Sequence, residues 1–367
     1  MRVRRLSLRM VACSSILLFV GLHASAQTPS EALLVLAKSD ESLAIVDPVS
    51  LHVVGRAPSG PDPHEVIASA DGKLAYISNY GGSDSDLNTI SVVDLVSQKA
   101  LPAINLGALH SAHGLAFAGG KLYFTVETNK TIGRYDPTAG RVDWVMGTGQ
   151  DRTHMVWVSK NLEQLVTSNV NSATISIIER ISPPGGGFGP PPGAPPGTAT
   201  PPGFRPSPGG PRKTWEVTNV RAGRGCEGFD VSPDGKEIWA ANARDATVTI
   251  IDFAAKRATQ TIHISVNGAN RLKFTPDGAR VFVSGLGFGG RSGNDLVVID
   301  ATSRKEIKHF DLGGGAAGIL MDPHGSRAFV AVSGKDYVAV VDLKSLEVTG
   351  RISVGKQPDG LAWAVRK

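Results

Sequence analysis

Residues 232–264 read SPDGKEIWAANARDATVTIIDFAAKRATQTIHI, and this stretch decides the fold. It opens with a Pro-Asp-Gly turn, continues through an apolar run at Glu237–Ala241, and reaches a second run, Thr249–Asp252, that ends in an acid. A third run, Thr259–Ile264, closes the unit. Short apolar runs separated by Asp-Gly turns are typical of antiparallel hairpins. The stretch therefore predicts consecutive strands of one small sheet.

The same unit recurs along the chain. Acids that end its third strand stand at Asp47, Asp94, Asp136, Glu179, Asp252, Asp300 and Asp342, and successive members lie 47, 42, 43, 73, 48 and 42 residues apart. Four short strands every 42–48 residues are the pattern of β-propeller blades. We expect these acids to hydrogen-bond the turn that follows each strand, which is a structural role.

The one long spacing contains a Pro/Gly-rich segment. Residues 183–211 hold 12 of the 23 prolines and 9 glycines, and without these 29 residues the spacing of 73 falls to 44. The segment lies between a third strand (Thr174–Glu179) and a fourth (Lys213–Val217), so we expect an inserted loop on the face opposite the site described below. Its composition favours an extended loop, either a docking segment or a tolerated surface extension.

The two ends of the chain complement each other. The N-terminal part supplies three strands of a unit, at Leu33–Leu36, Leu43–Asp47 and Leu51–Gly55, and the C-terminal Gly360–Val365 supplies one spare first strand. Joining them completes a seventh blade and removes the exposed sheet edges. The sequence therefore predicts an all-β fold, a seven-bladed propeller of four-stranded antiparallel blades closed by its two ends.

The first 26 residues resemble a secretory signal. Four arginines precede an apolar run, Met10–Leu22, and an Ala-Ser-Ala site at 24–26 follows it. We predict a cleaved signal at 1–26 and one propeller domain at 27–367, exported to the periplasm or secreted. An uncleaved anchor is the alternative, and no other stretch approaches the length of a membrane span.

The net charge of the full chain does not describe the mature protein, because most of it comes from this N-terminal segment. The full chain has a net charge of +5 and a pI near 9.2, which suggests an anionic polymer as partner. Residues 1–26 hold four arginines and no acid, so the mature chain carries only +1, and we expect no nucleic-acid partner. Hydrophobic content of 41% excludes wholesale disorder. Cys226 is the only cysteine left after cleavage, so we expect no internal disulfide, and we expect a monomer.

Two strand motifs indicate a family. Tyr76-Ile-Ser-Asn79 and Ile238–Asn242, together with the Pro-Asp-Gly turns and Val-Ile-Asp strand ends, resemble the YVTN-repeat β-propellers of exported bacterial proteins. The resemblance covers essentially the whole mature chain except the insertion. It implies the fold but little about activity, because related propellers serve lactonases and haem- or quinone-linked oxidoreductases. The Trp-Asp dipeptide of WD40 blades is absent.

Aligned repeats place one residue of each blade at the same depth of the channel. First strands line the channel, and four of them open with x-x-Gly, as in Ala112-His113-Gly114. The second residues of the seven aligned three-residue openings, which we call the middle column, are in ring order Asp359, His64, His113, His154, Glu227, Asn270 and Ala317. We expect these side chains to surround one mouth of the channel.

The mouth offers two kinds of chemistry. Imidazoles and carboxylates are ligands of transition metals, so His64, His113, His154 and Glu227 are candidate catalytic residues and candidate ligands of a divalent transition metal. Candidate ligand-binding residues are Arg152, Arg224, Arg271, Asn270 and Asp359, and His110 and Glu65 lie nearby; the arginines suit an anionic ligand. We predict a binding or scaffold protein with a ligand site at this mouth. The alternatives are a His-based or metal-dependent hydrolase similar to lactonases, an accessory protein of a redox system, and a polar channel without function.

Two further features point away from cofactors. Gly285–Gly290 matches G-x-G-x-x-G, but a dinucleotide site needs a helix next, and residues 294–300 read as a strand. No C-x-x-C-H motif for covalent haem occurs. Cys226 is a candidate soft ligand, although a small buried thiol is the simpler interpretation.

Overall fold

Seven four-stranded antiparallel sheets form a ring in the computed structural model, which describes residues 28–82, 85–182, 213–287 and 295–367. Strands are numbered in chain order. The closing blade combines β28 (Pro358–Val365) with β1 (Glu31–Ala37), β2 (Ser42–Val46) and β3 (Val53–Pro58). Each remaining blade takes four consecutive strands. The protein is a seven-bladed β-propeller, as the repeat predicts.

The other six blades follow in chain order. Three of them consist of β4 (Pro63–Ala68), β5 (Leu74–Asn79), β6 (Thr89–Asp94) and β7 (Lys99–Asn105); β8 (Ala112–Ala118), β9 (Lys121–Val126), β10 (Thr131–Asp136) and β11 (Arg141–Gly147); and β12 (Thr153–Val158), β13 (Gln164–Asn169), β14 (Thr174–Ile181) and β15 (Thr214–Arg221). The last three consist of β16 (Cys226–Val231), β17 (Glu237–Asn242), β18 (Thr247–Asp252) and β19 (Arg257–His263); β20 (Ala269–Phe274), β21 (Arg280–Gly285), β22 (Leu296–Asp300) and β23 (Lys305–Phe310); and β24 (Ile319–Met321), β25 (Arg327–Val332), β26 (Tyr337–Asp342) and β27 (Glu347–Ile352).

The core lies between the blades. Buried apolar residues of the described chain form seven clusters, and each cluster joins two neighbouring blades. Leu34 of the closing blade packs in one cluster with Ile77 of the next blade, and Leu33 packs in another with Phe329 of the blade before it. Strand β28 pairs with β1, with Leu33 opposite Trp363, so the predicted ring closure is confirmed.

Carboxylates at the strand ends hold the turns. Oδ1 of Asp94 accepts hydrogen bonds from the backbone N–H groups of Val96 at 2.8 Å and Ser97 at 3.0 Å, and these bonds lower the pKa of the carboxyl. Asp47, Asp136, Asp252, Asp300 and Asp342 accept equivalent bonds. The structural role predicted for these acids is confirmed, except that Glu179 pairs with Lys256 at 2.5 Å.

Glycine in the x-x-Gly openings allows adjacent first strands to approach closely. A Cβ placed on Gly114 would lie 2.5 Å from the carbonyl oxygen of His154, and one on Gly360 would lie 2.4 Å from that of His64. Both distances are far below van der Waals contact. The glycine of one blade therefore makes room for the backbone of the middle-column residue in the next blade.

We expect Gly318→Ala to destabilise the ring. The added Cβ would lie 2.2 Å from the carbonyl oxygen of Asp359, and relieving such an overlap in a packed core costs about 1–3 kcal/mol. Gly147→Ala is the matched control, because its Cβ meets no atom within 4 Å and its φ is not positive, so we expect a change within about 0.5 kcal/mol. Urea unfolding of both variants measures the difference. Equal stabilities would refute the close-approach role of the glycine.

Several sequence predictions concern residues that the structure does not describe. The leader at 1–26 and the insertion at 183–211 lie outside the described residues, as does the second half of the G-x-G-x-x-G match. The insertion does join a third strand to a fourth, β14 to β15. The element after that glycine motif is strand β22, as expected. Nowhere in the described ranges is there a helix with the length and apolar character of a membrane span.

Candidate functional site

A β-bulge near the start of the first strands prepares the channel mouth. The pairing of β12 with β13 shifts register between Thr153 and Val156, and that of β16 with β17 shifts between Cys226 and Phe229. Strands β4, β8 and β20 shift at the equivalent place. Bulges change the direction in which a strand presents its side chains. Five of the seven middle-column residues sit on these bulges, namely His64, His113, His154, Glu227 and Asn270.

Hydroxyl groups of the second strands fix the backbone of this column. Oγ1 of Thr125 donates to the carbonyl of His154 at 2.5 Å, and Oγ of Ser168 donates to the carbonyl of Glu227. Thr125 also accepts a bond from the N–H of Gly114 at 2.8 Å. The bonds to His154 and Glu227 join neighbouring blades and the bond from Gly114 lies within one blade, so the mouth residues are held before any ligand arrives.

All seven residues of the aligned column line one cavity of about 300 Å³ at the mouth. Its other lining residues are Lys38, Tyr80, Arg152, Arg271, Leu286, Ser333 and Gln357. Two predicted neighbours lie elsewhere: Arg224 is exposed and pairs with Asp245 at 2.7 Å, and His110 lies 4.0 Å from Asp86. The seven aligned residues therefore share one cavity, whereas Arg224 does not line it.

His154 lies between two buried glutamates. Its Nδ1 is 2.5 Å from Oε1 of Glu127, and its Nε2 is 2.9 Å from Oε2 of Glu227. Burial disfavours the imidazolium, but the two carboxylates outweigh it and raise the pKa of His154. Burial likewise opposes ionisation of Glu227, yet the charges of His154 and Arg152 lower its pKa to about 2. The group is therefore a Glu–His–Glu chain whose two carboxylates favour the protonated form of the central imidazole.

Two further side chains hold Glu127. The hydroxyl of Tyr80 donates to Oε2 at 2.5 Å, and Nε of Arg152 donates to the same oxygen at 3.0 Å. Burial and the charge of Glu127 raise the pKa of Tyr80, so the phenol stays protonated. The Glu127 carboxylate is fully buried and has three partners, which makes it a positioning group beneath the cavity.

His113 is buried and neutral. Its ring centroid lies 3.7 Å from that of His154 and 5.0 Å from that of His64. Burial, reinforced by the neighbouring charge of His154, holds the pKa of His113 well below its ordinary value. Among the protein groups that the structure describes, Nδ1 of His113 has no hydrogen-bond partner. Nε2 of His154 likewise forms no hydrogen bond of suitable direction, although the Glu227 carboxylate lies 2.9 Å away.

The other side of the mouth is built around His64. The ammonium of Lys38 contacts its Nε2, and Oδ2 of Asp359 lies 3.5 Å from its Nδ1. Burial raises the pKa of Asp359 in spite of the opposing charge of His64. The hydrogen bond with His64 strongly lowers the pKa of Asp62, which also pairs with Lys38 at 3.2 Å.

An ion pair crosses the channel beneath the mouth. Nη2 of Arg271 lies 2.5 Å from Oε1 of Glu65, a residue of the blade on the far side of the ring. Burial disfavours the charged guanidinium, but Glu65 and Asp359 outweigh this effect and raise the pKa of Arg271. The pair forms the floor of the cavity.

The metal site predicted from the sequence has no preformed counterpart. Across residues 28–82, 85–182, 213–287 and 295–367, no group of three or more His, Cys, Asp or Glu side chains converges as metal ligands would. The nitrogens of His64 and His154 face acids or Lys38 instead. Cys226 is buried, and burial raises its pKa to about 12, which suits an inert thiol. A metal at this mouth stays a prediction.

Sequence reasoning missed three residues that share one position. Lys38, Tyr80 and Glu127 each follow directly after the second strand of a blade, β1, β5 and β9. The loop from the second to the third strand lies on the same face as the start of the first strand. A second aligned column, one residue beyond each second strand, would therefore have found them.

Comparisons with known proteins show likeness in structure only. No protein-family model matches the chain, and no curated protein does. A functionally unknown protein from Desulfotomaculum acetoxidans superposes with a TM-score of 0.68 at 11% identity, covering 92% of this chain and 99% of that one. Kuenenia stuttgartiensis hydrazine synthase superposes with a TM-score of 0.61 at 17% identity, covering 82% and 89%. At such low identity the likeness concerns the fold alone, and the chain is similar to these proteins as one β-propeller to another.

Proposed function

We propose that this chain is an exported propeller of the YVTN-repeat type that binds a small polar molecule in the mouth cavity. The leader-like segment 1–26 supports export, and motifs such as Tyr76–Asn79 support the repeat type. The ligand is inferred from Nδ1 of His113, a buried imidazole nitrogen that no described group hydrogen-bonds, and from Nε2 of His154, whose near partner is the Glu227 carboxylate at 2.9 Å. Buried polar groups are nearly always paired, so a molecule that pairs with them would be stabilised there.

The charges of the mouth favour a ligand that donates hydrogen bonds. Arg152 and Arg271 already donate to glutamates, at 3.0 Å and 2.5 Å. The carboxyls of Glu227 and Asp359 line the cavity and contact imidazoles at 2.9 Å and 3.5 Å. Neutral His113 adds a further acceptor or donor. An amine or a hydroxyl-rich molecule therefore fits this site better than the anion that the arginines suggest in the sequence.

A thermal-shift experiment tests this proposal. Ethanolamine and glucose, as amine and polyol, are compared with acetate and sulfate on wild-type protein and on Glu227→Gln. Hydrogen bonds to a charged group contribute about 1.5–3 kcal/mol, so we expect at least about tenfold weaker binding of the donor compounds to the variant. Asp94→Asn, which alters a turn on the outer rim, is the control and should bind as wild type. Binding of the anions alone would contradict the proposal.

The Glu–His–Glu chain favours one second candidate, a His-based hydrolase of the lactonase kind. Glu127 and Glu227 hold His154 and raise its pKa, which favours an imidazolium that can deliver a proton to a leaving oxygen. Hydrolysis of γ-butyrolactone by wild type, abolished in His154→Gln, would support it. Activity that persists in the variant would exclude this role for His154.

Elemental analysis of the same preparations tests the metal predicted at His64, His113, His154 and Glu227. Wild type is compared with a variant in which the three histidines are replaced by alanine. Stoichiometric zinc, copper or iron in the wild type alone would support the metal. Equal, negligible content in both would exclude it and leave the metal-free ligand site unaffected.

A further inference from the structure

The channel contains a second cavity, beyond the ion pair of Arg271 and Glu65. Its volume is about 360 Å³, and it is lined by the downstream halves of the first strands. Arg271 lines both cavities, so the ion pair separates the polar mouth from this second space. We call the second space the lower chamber; Leu115, Trp157, Phe229, Leu320 and Trp363 are among its lining residues.

The wall of the lower chamber is apolar and aromatic. Trp157, Phe229 and Trp363 come from three different blades, and Leu115 and Leu320 come from two more. All of these except Phe229 are only partly buried. Apolar surface left in water costs about 25 cal/mol per Å². A molecule that covered this concave wall would therefore be stabilised by the burial of apolar surface on every side of the chamber.

The charges next to the chamber are compensated within the protein. Nζ of Lys273 lies 3.2 Å from Oδ1 of Asp230, and the other oxygen of Asp230 accepts the N–H of Phe274 at 3.0 Å. Arg271 and Glu65 neutralise each other at the floor. The chamber thus presents no uncompensated charge to an ionic ligand. Pockets of about 300–1,000 Å³ with mostly apolar walls and few polar groups are the usual form of small-molecule sites.

We propose that the lower chamber binds an uncharged aromatic small molecule, independently of the polar mouth. The three aromatic side chains supply faces and edges that an aromatic ring packs against, and the compensated charges disfavour an ion. Val49 and Val145, two large apolar residues that are exposed in the described ranges, are not among the residues that line the lower chamber.

Fluorescence of N-phenyl-1-naphthylamine, a neutral aromatic dye that brightens in apolar surroundings, tests the proposal. We expect saturable binding to wild type with quenching of tryptophan emission. We expect at least tenfold weaker binding to Leu115→Glu, which places a charge in the chamber. Val145→Glu, on the outer strand β11, is the matched control and should bind as wild type.

Two further variants test the proposal even if Leu115→Glu is unstable. Trp157→Phe preserves an aromatic wall, so it should still bind the dye but lose part of the tryptophan quenching; this readout stands even if Leu115→Glu is unstable. Glu227→Gln alters only the mouth and should leave dye binding unchanged. Absence of saturable binding, equal binding to wild type and folded Leu115→Glu, or loss of binding in Glu227→Gln would each overturn the proposal.

Discussion

We expect deletion of residues 357–367 to abolish cooperative unfolding, because it removes the strand that closes the ring. Strand β28 pairs along β1, from Glu31 opposite Val365 to Ala37 opposite Pro358. Its side chains also belong to two blade interfaces: Ala362 packs with Leu34 in one, and Trp363 packs beside Leu33 in the other. The deletion therefore exposes a sheet edge and opens both interfaces. We expect the loss to be comparable with the whole stability of a domain, about 5–15 kcal/mol.

Circular dichroism during heating measures this effect. Wild type should melt in one cooperative transition, and the deletion variant should show a broad change or none. A shorter deletion, of residues 366 and 367 only, is the control: it leaves β28 intact and removes two backbone hydrogen bonds, to Ser30 and Asp71. A cooperative transition of unchanged midpoint in the long deletion would contradict the closure role of β28.

The fold could be predicted from the repeat because equivalent positions of successive blades meet the same physical requirement. Asp94 and its equivalents mark the end of a third strand since the turn that follows needs an acceptor at that place. Gly114 and Gly360 mark the start of a first strand since the neighbouring backbone leaves no room for a Cβ. These local needs recur in most of the blades, so aligned residues occupy equal depths around the channel.

The same periodicity explains why the middle column was found and its contacts were not. Alignment places Arg271 and Glu65 near the mouth, but they are 206 residues apart and meet across the channel. Its position in the repeat predicts how deep in the channel a side chain lies, but not which residue it contacts across the channel. Arg224 shows the related limit: it lies at the mouth face, yet its side chain turns outwards to Asp245. Lys38, Tyr80 and Glu127 needed a second aligned column.

Replacement of Arg271 by methionine should cause the largest loss of stability expected from a single substitution in the channel. Arg271 is buried, with 10% of its side chain exposed, and it pairs with Glu65, of which 14% is exposed. Without the guanidinium, the buried carboxyl of Glu65 has lost the cation that it pairs with, and Asp359 lies beside it. Removing one partner of a buried ion pair costs about 3–5 kcal/mol, because the other charge stays buried and uncompensated.

A double-mutant cycle separates this effect from lost packing. In Arg271→Met combined with Glu65→Leu no unpaired charge remains at the floor, so we expect the double variant to be more stable than Arg271→Met alone, although it has lost more native groups. Lys308→Met is the matched control, since its partner Glu347 is 2.7 Å away but 64% exposed, and exposed pairs contribute only about 0–1 kcal/mol. The midpoints of urea unfolding of wild type, Arg271→Met, Glu65→Leu and the double variant give the four values of the cycle, and Lys308→Met is measured beside them.

The cycle also tests the division of the channel. If the charge of Glu65 is the cause, Arg271→Met should lose stability while the double variant recovers much of it, and the recovered fold would have an apolar floor between mouth and lower chamber. If Arg271→Met costs no more than Lys308→Met, the two residues do not form a buried pair in solution. The proposed division of the channel would then lose its support, because Arg271 lines both described cavities and its pair with Glu65 is what separates them.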